Sequence, residues 1–411
     1  MVGTPDDSAG RSDVSRLGLG AGLLLGQQAF LFGAAWDIQW HLQVGRDRPL
    51  TPPHVLLLAG IALTGLLALA AVITAITGGA KHSLERLWDD DHSTGECFAP
   101  TGVAPGAVIA TSWLRRVLRA PVGALLAGVG ALLSTVAFPL DDYWHRLYGL
   151  DVTLWSPFHV MIVSGMALAA LGAVYVFAAA AHGKAAAHAA RTRRAAETGT
   201  AVALACVAGT LLILLAQALD SEGIARVALP VEGGPRRLLV FPPLLVALTT
   251  PWLVAAAAVV GLPGGATVAA TALTLMRLGM FAVVPWAVRA AAAWEGQPVR
   301  AGGLNSVATP LAFPAWVVAA GLTIDALWWL VRSRRVPLSP ALSLLLAGAA
   351  AGCFLAWVER PWQWTLPLTR AGRGVDLQAA FAASLPLVVA CAVVAAAIGV
   401  GMGGALRRTR T

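Results

Sequence analysis

Long apolar runs separated by short polar stretches organise the chain. Runs rich in Ala, Leu, Val and Gly fall at 17–36, 55–79, 120–140, 158–181, 198–219, 239–261, 265–288, 310–331, 340–358 and 378–404. Each can cross a hydrocarbon layer of about 30 Å as a helix. The pattern predicts an all-α polytopic membrane protein with about ten transmembrane helices. The weakest division is Gly261-Leu262-Pro263-Gly264-Gly265, which alone separates two spans. Asp6, Asp7 and Asp13 precede the first run. That is a poor match to a basic leader, so 17–36 is read as a lasting span.

Composition supports the membrane reading. Of 411 residues, 58% are hydrophobic and 12% charged, and the mean hydropathy is +0.73. Soluble domains carry about 25% charged residues. Half that share excludes a soluble enzyme, a disordered chain and a nucleic-acid module, so the lipid bilayer is the expected partner and nucleic acid is not. The net charge of +8 is unevenly placed. Seventeen Lys and Arg fall on one set of connections, eleven on the other, and Arg277 lies within a span. By the positive-inside rule both termini (1–16 and the basic 405–411) and a loop at 80–119 are cytoplasmic, in a multi-pass cell-membrane protein. The connections near 37–54, 141–157, 220–238, 289–309 and 359–377 then face outward.

Those outward connections share a pattern. The first reads Asp37-Ile-Gln-Trp40-His41, then Arg46-Asp47, then Thr51-Pro52-Pro53-His54. The second reads Asp141-Asp142-Tyr143-Trp144-His145, then Asp151, then Ser156-Pro157-Phe158-His159. Later copies keep an acid and prolines but lose the histidines, as in Asp220 with Pro242-Pro243. The chain reads as repeated helical hairpins, with the Asp/His motifs in 17–182 and degenerate copies in 197–404.

Asp37 and His41 stand four apart and share one helix face. His54 opens the next helix behind prolines suited to a first turn. One carboxylate and two imidazoles can therefore converge within each hairpin: Asp37, His41 and His54, then Asp141, His145 and His159, with Asp142 an alternative ligand. Asp47, Asp142, Asp151, Trp40 and Trp144 are the expected supporting residues. Ionisable groups near hydrocarbon are costly and demand a partner, which a metal supplies. Imidazole suits copper, zinc or iron, and copper heads the affinity order. The plainer alternative is an interfacial belt of Trp36, Trp40, Trp144 and Trp155, its histidines bonded to Asp47, Asp151 or loop carbonyls. No residue is assigned a catalytic role.

The string Asp37-x-x-Trp40-His41, Arg46-Asp47, Thr51-Pro52-x-His54 resembles the metal-binding segment of the C subunit of particulate methane and ammonia monooxygenases. In that family an aspartate, a histidine four later and a histidine thirteen beyond bind copper within the membrane. Asp37, His41 and His54 match that spacing; Asp141, His145 and His159 match it with one inserted residue. The resemblance is confined to 37–54 and 141–159. It implies copper as cofactor, a membrane monooxygenase or a subunit of one, oxidation of a small apolar substrate, and further membrane subunits or a homo-oligomer as partners. The residues alone also fit a metal or small-solute permease, or a non-catalytic membrane assembly protein.

Other polar residues have plainer readings. Arg277 and Asp325 fall within neighbouring spans and are expected to pair structurally. Asp89, Asp90, Asp91 and His92 read as a solvated run. His182 and His188 read as interfacial residues. Cys97, Cys206, Cys353 and Cys391 lie apart, with neither disulfide nor CxxC spacing.

Overall fold

A computed structural model describes residues 5–45, 50–90, 120–149, 156–182, 190–220, 237–260, 264–300, 316–333, 338–358 and 377–408. Side chains are described within 15–45, 50–77, 120–149, 156–182, 190–213, 242–260, 264–300, 316–333, 338–358 and 381–408. Asp47, Asp151, Asp220 and the polar residues of 78–119 lie outside these stretches.

The described chain is helical and contains no strand. Its elements are α1 (Pro5–Gln43), α2 (Pro52–Asp90), α3 (Val122–Tyr148), α4 (Pro157–His182), α5 (Ala190–Asp220), α6 (Arg237–Val259), α7 (Gly265–Trp294), α8 (Val317–Arg332), α9 (Pro340–Val358) and α10 (Leu377–Arg408). Among the described residues, nine helices are long and apolar enough to cross a membrane. The exception is α8, whose 16 residues rise only about 24 Å.

Two helix ends depart from expectation. The loops foreseen at 37–54 and 141–157 are shorter, because α1 runs on through His41 to Gln43 and α3 through His145 to Tyr148. A helix satisfies its own backbone groups, whereas a loop at membrane depth cannot. The aspartates therefore sit on helical backbone, not in flexible turns.

Helices α1 to α4 form one packed group: α1 lies against α2, α3 against α4, α2 against α3, and α4 returns to α1. In the other group α6 packs along α10, while α9 touches α8, α10 and α6. Helices α5 and α7 join the two groups, and both also pack on α1. The interior is filled by residues such as Phe30, Met166, Leu204 and Leu273, whereas Leu66, Leu132, Leu275 and Trp286 are exposed. An apolar exterior is what lipid requires.

Small residues set the close helix crossings. A Cβ on Gly60 of α2 would sit 2.5 Å from the Gly26 carbonyl oxygen of α1. A Cβ on Gly165 of α4 would sit 2.6 Å from the Gly130 carbonyl oxygen of α3. Such glycines let backbones touch in lipid, where dispersion replaces the hydrophobic drive. Gly26 and Gly130 each precede their motif aspartate by eleven residues, and Gly60 and Gly165 each follow their motif histidine by six. Both hairpins thus cross at the same point relative to their polar ends.

The Arg277–Asp325 ion pair does not form. Asp325, 6% exposed, accepts hydrogen bonds from the Ala266 N–H (3.3 Å), the Thr267 N–H (2.7 Å) and the Thr267 hydroxyl (2.7 Å). It caps the first turn of α7 from α8, supplying an anion where the helix dipole is positive. Arg277 lies three turns further along α7 and donates from Nη2 to the Gly209 carbonyl at 3.3 Å. Depth along the helix separates the two charges.

Candidate metal centre

Each motif closes through its own hairpin. In the first, the last two turns of α1 carry Asp37 and His41, and the first turn of α2 carries His54. His54 Nε2 lies 3.0 Å and His41 Nδ1 3.5 Å from Asp37 Oδ1. In the second, His145 Nε2 lies 3.2 Å and His159 Nε2 3.0 Å from Asp141 Oδ2. All six side chains are largely buried, between 11% and 20% exposed.

The separations made by Nε2 of His54, His145 and His159 fit a shared metal ion. Tetrahedral ligands at about 2.0–2.1 Å from an ion stand about 3.3 Å from one another. In each triad one donor atom per residue can be chosen so that all lie within 4.8 Å. The backbone also orients the rings. His41 Nδ1 is 2.9 Å from the Asp37 carbonyl, and His145 Nδ1 is 3.4 Å from the Gly149 carbonyl. A carbonyl only accepts, so a proton on Nδ1 shared with it leaves the Nε2 lone pair for a metal, the arrangement metal-binding histidines use. Gly149 has φ +85°, a backbone geometry that favours glycine.

The triads are not isolated from each other. Asp37, His41, His54, Asp141, His145 and His159 line one cavity of about 60 Å³. Phe138 of α3 meets the His54 ring edge-on at 5.3 Å between centroids, and the His145 and His159 rings are 5.5 Å apart. The remaining wall is apolar, with Phe30, Leu57, Ile162 and Ile213 among its residues. Such a volume admits a few water-sized ligands, not a bulky solute. A larger apolar cavity of about 350 Å³ lies between α1, α2 and α7, with Trp36, Pro52 and Trp286 in its wall. Trp36 adjoins Asp37 in sequence.

Several supporting residues sit elsewhere than expected. Asp142 pairs with Arg146, which satisfies its carboxylate away from the imidazoles. Trp144 meets Tyr148 at a tilt, 4.3 Å between centroids, and Phe158 edge-on at 5.9 Å, so it packs beside His159's neighbour rather than on a histidine. Trp40 is fully buried, and its carbonyl accepts from Val44 N and Gly45 N where α1 ends. His182 Nδ1 bonds the Ala178 carbonyl at 2.8 Å and belongs to neither triad.

Ser156 was not foreseen as a site residue. Its hydroxyl accepts from the His159 N–H at 3.2 Å, capping α4, and donates to Asp141 Oδ1 at 3.4 Å. The sequence signal was a serine before Pro157, a pattern typical of a helix start. Thr51 holds the matching place before Pro52, yet its buried hydroxyl has no hydrogen-bond partner.

Fold and site together define a class: an integral, multi-pass helical membrane protein with two Asp/His clusters able to hold metal ions. Compared with known families, curated proteins and solved structures, the chain matches none.

Proposed function

We propose that each triad binds one metal ion, with copper the preferred ion, and that the protein is related to the copper-binding subunit of membrane monooxygenases. The observation that carries this reading is the double convergence: two hairpins each bring one carboxylate and two imidazoles to the same cavity. Nitrogen and oxygen donors of this kind suit copper, with zinc and iron as the competitors. A bound copper ion would supply one-electron chemistry and an attachment point for dioxygen.

The chain's own groups do the rest. Asp37 and Asp141 balance the ion's charge. The backbone carbonyls behind His41 and His145 fix which ring nitrogen faces inward. Phe30, Phe138 and Ile213 restrict water at the site. The larger apolar cavity beside Trp36 supports a small apolar substrate arriving through lipid. The distribution of arginines supports an extracytoplasmic position for both triads.

Metal analysis of the detergent-purified protein tests the reading. The wild type is expected to hold two ions per chain, and His41→Ala with His145→Ala to lose both while staying folded. A wild type without stoichiometric metal after copper loading would sink it. A permease instead demands a route through the bundle, and the triad cavity is too small to pass a bulky solute. Copper flux in proteoliposomes, abolished by the same double variant, would favour that second reading.

A further inference from the structure

We propose that Arg277 holds a small monovalent anion, a halide or a small carboxylate, at the junction of α1, α5 and α7. The residue is 7% exposed and lies twelve residues into α7, about 18 Å from that helix's start. A headgroup at either surface is beyond the reach of its side chain. Its guanidinium donates to one backbone carbonyl, Gly209 O, at 3.3 Å, and the buried Nε has no hydrogen-bond partner.

Among the described residues, no carboxylate pairs with this charge. Asp325 is committed to Ala266 and Thr267 at the start of α7, about 15 Å away along the helix. Asp37 and Asp141 are held by their own histidines. The polar contacts next to Gly209 on α5 are neutral. Gln27 of α1 donates to Thr210 at 2.8 Å, and Gln28 donates to Cys206 at 3.1 Å. Thr210 is the next residue after the carbonyl that Arg277 holds.

An intramembrane cation is costly unless paired, and arginine does not escape the cost by losing its proton. A water molecule would answer the Nε–H but leave the charge. An anion answers both, and a guanidinium edge suits a halide or a planar carboxylate. The place has a definite relation to the metal cavity. Gln27 lies one turn below Phe30, and Thr210 one turn below Ile213, both of which line that cavity. The anion would sit beneath its floor, independent of the triads.

Equilibrium dialysis of the detergent-purified full chain against radiolabelled chloride, in a buffer whose other anion is bulky gluconate, tests the site. The wild type should bind one chloride per chain, displaced by excess bromide or formate; the more effective competitor tells halide from carboxylate. Arg277→Gln should weaken binding at least tenfold with metal content unchanged, and Arg277→Lys should bind with intermediate affinity. Wild-type protein that takes up neither chloride nor formate saturably would overturn the proposal, as would equal binding by Arg277→Gln. Should the glutamine variant fail to fold, wild-type stoichiometry and the lysine variant decide. Loss of metal from the triads alone would leave this result untouched.

Discussion

At the scale of residues, the two triads differ in how their carboxylates are held. Ser156 ties Asp141 to the first turn of α4, while Thr51 makes no equivalent bond. Residues that orient metal ligands typically contribute about 10–100-fold in affinity. Ser156→Ala is therefore expected to weaken metal binding at the second triad by at least about tenfold. Thr51→Val should leave the first nearly unchanged, as read by titration with a competing chelator. The histidines make affinity depend on pH. Protons and metal compete for the same imidazole lone pairs, so affinity should be high near about pH 7.5 and fall towards about pH 5.5. Metal retention after dialysis across that range checks the direction; retention that rises on acidification would contradict it.

Element-scale packing decides whether the triads can form. The hairpins cross at Gly26 with Gly60 and at Gly130 with Gly165, so the helix ends meet at matched heights. A side chain at Gly165 would press on the backbone of α3, which cannot yield as a flexible tip could. Gly165→Val is expected to destabilise the protein by about 1–3 kcal/mol and to lower metal occupancy of the second triad more than the first. Thermal unfolding beside metal analysis separates the two effects. Asp325 works at the same scale. Asp325→Ala leaves two amides at the start of α7 without their acceptor, at a cost of about 2–3 kcal/mol. Its stability, but not its metal content, should fall; unchanged unfolding would remove the capping role.

At the scale of the whole molecule, the first two hairpins face one another across a single cavity, while α5 and α7 tie them to the second group. Because the cavity is shared, charge placed at one triad acts on the other. Asp37→Asn is expected to alter metal affinity at the intact Asp141 triad, and two sites that titrate independently in the wild type and this variant would argue against a common cavity. Pairing across helices was hard to foresee at this scale. Arg277 and Asp325 lie on neighbouring helices, but a charge three turns into α7 and one level with its first turn stand at different depths. Apolar periodicity marks a helix as spanning without saying which turns align.

Much was legible before any packing was known. Apolar run lengths determined the all-helical membrane class, since a bilayer admits few ways of satisfying a backbone. The four-residue step from Asp37 to His41, repeated from Asp141 to His145, determined that each aspartate and its first histidine share a face. The prolines before His54 and His159 placed the second histidines at helix starts. Only the tertiary structure decided that both triads open on one cavity, that Ser156 holds one of them, and that Arg277 stands apart from Asp325. Those outcomes depend on helix rotation, depth and close approach at glycines. Such properties belong to pairs of helices, and a single span's composition does not encode them.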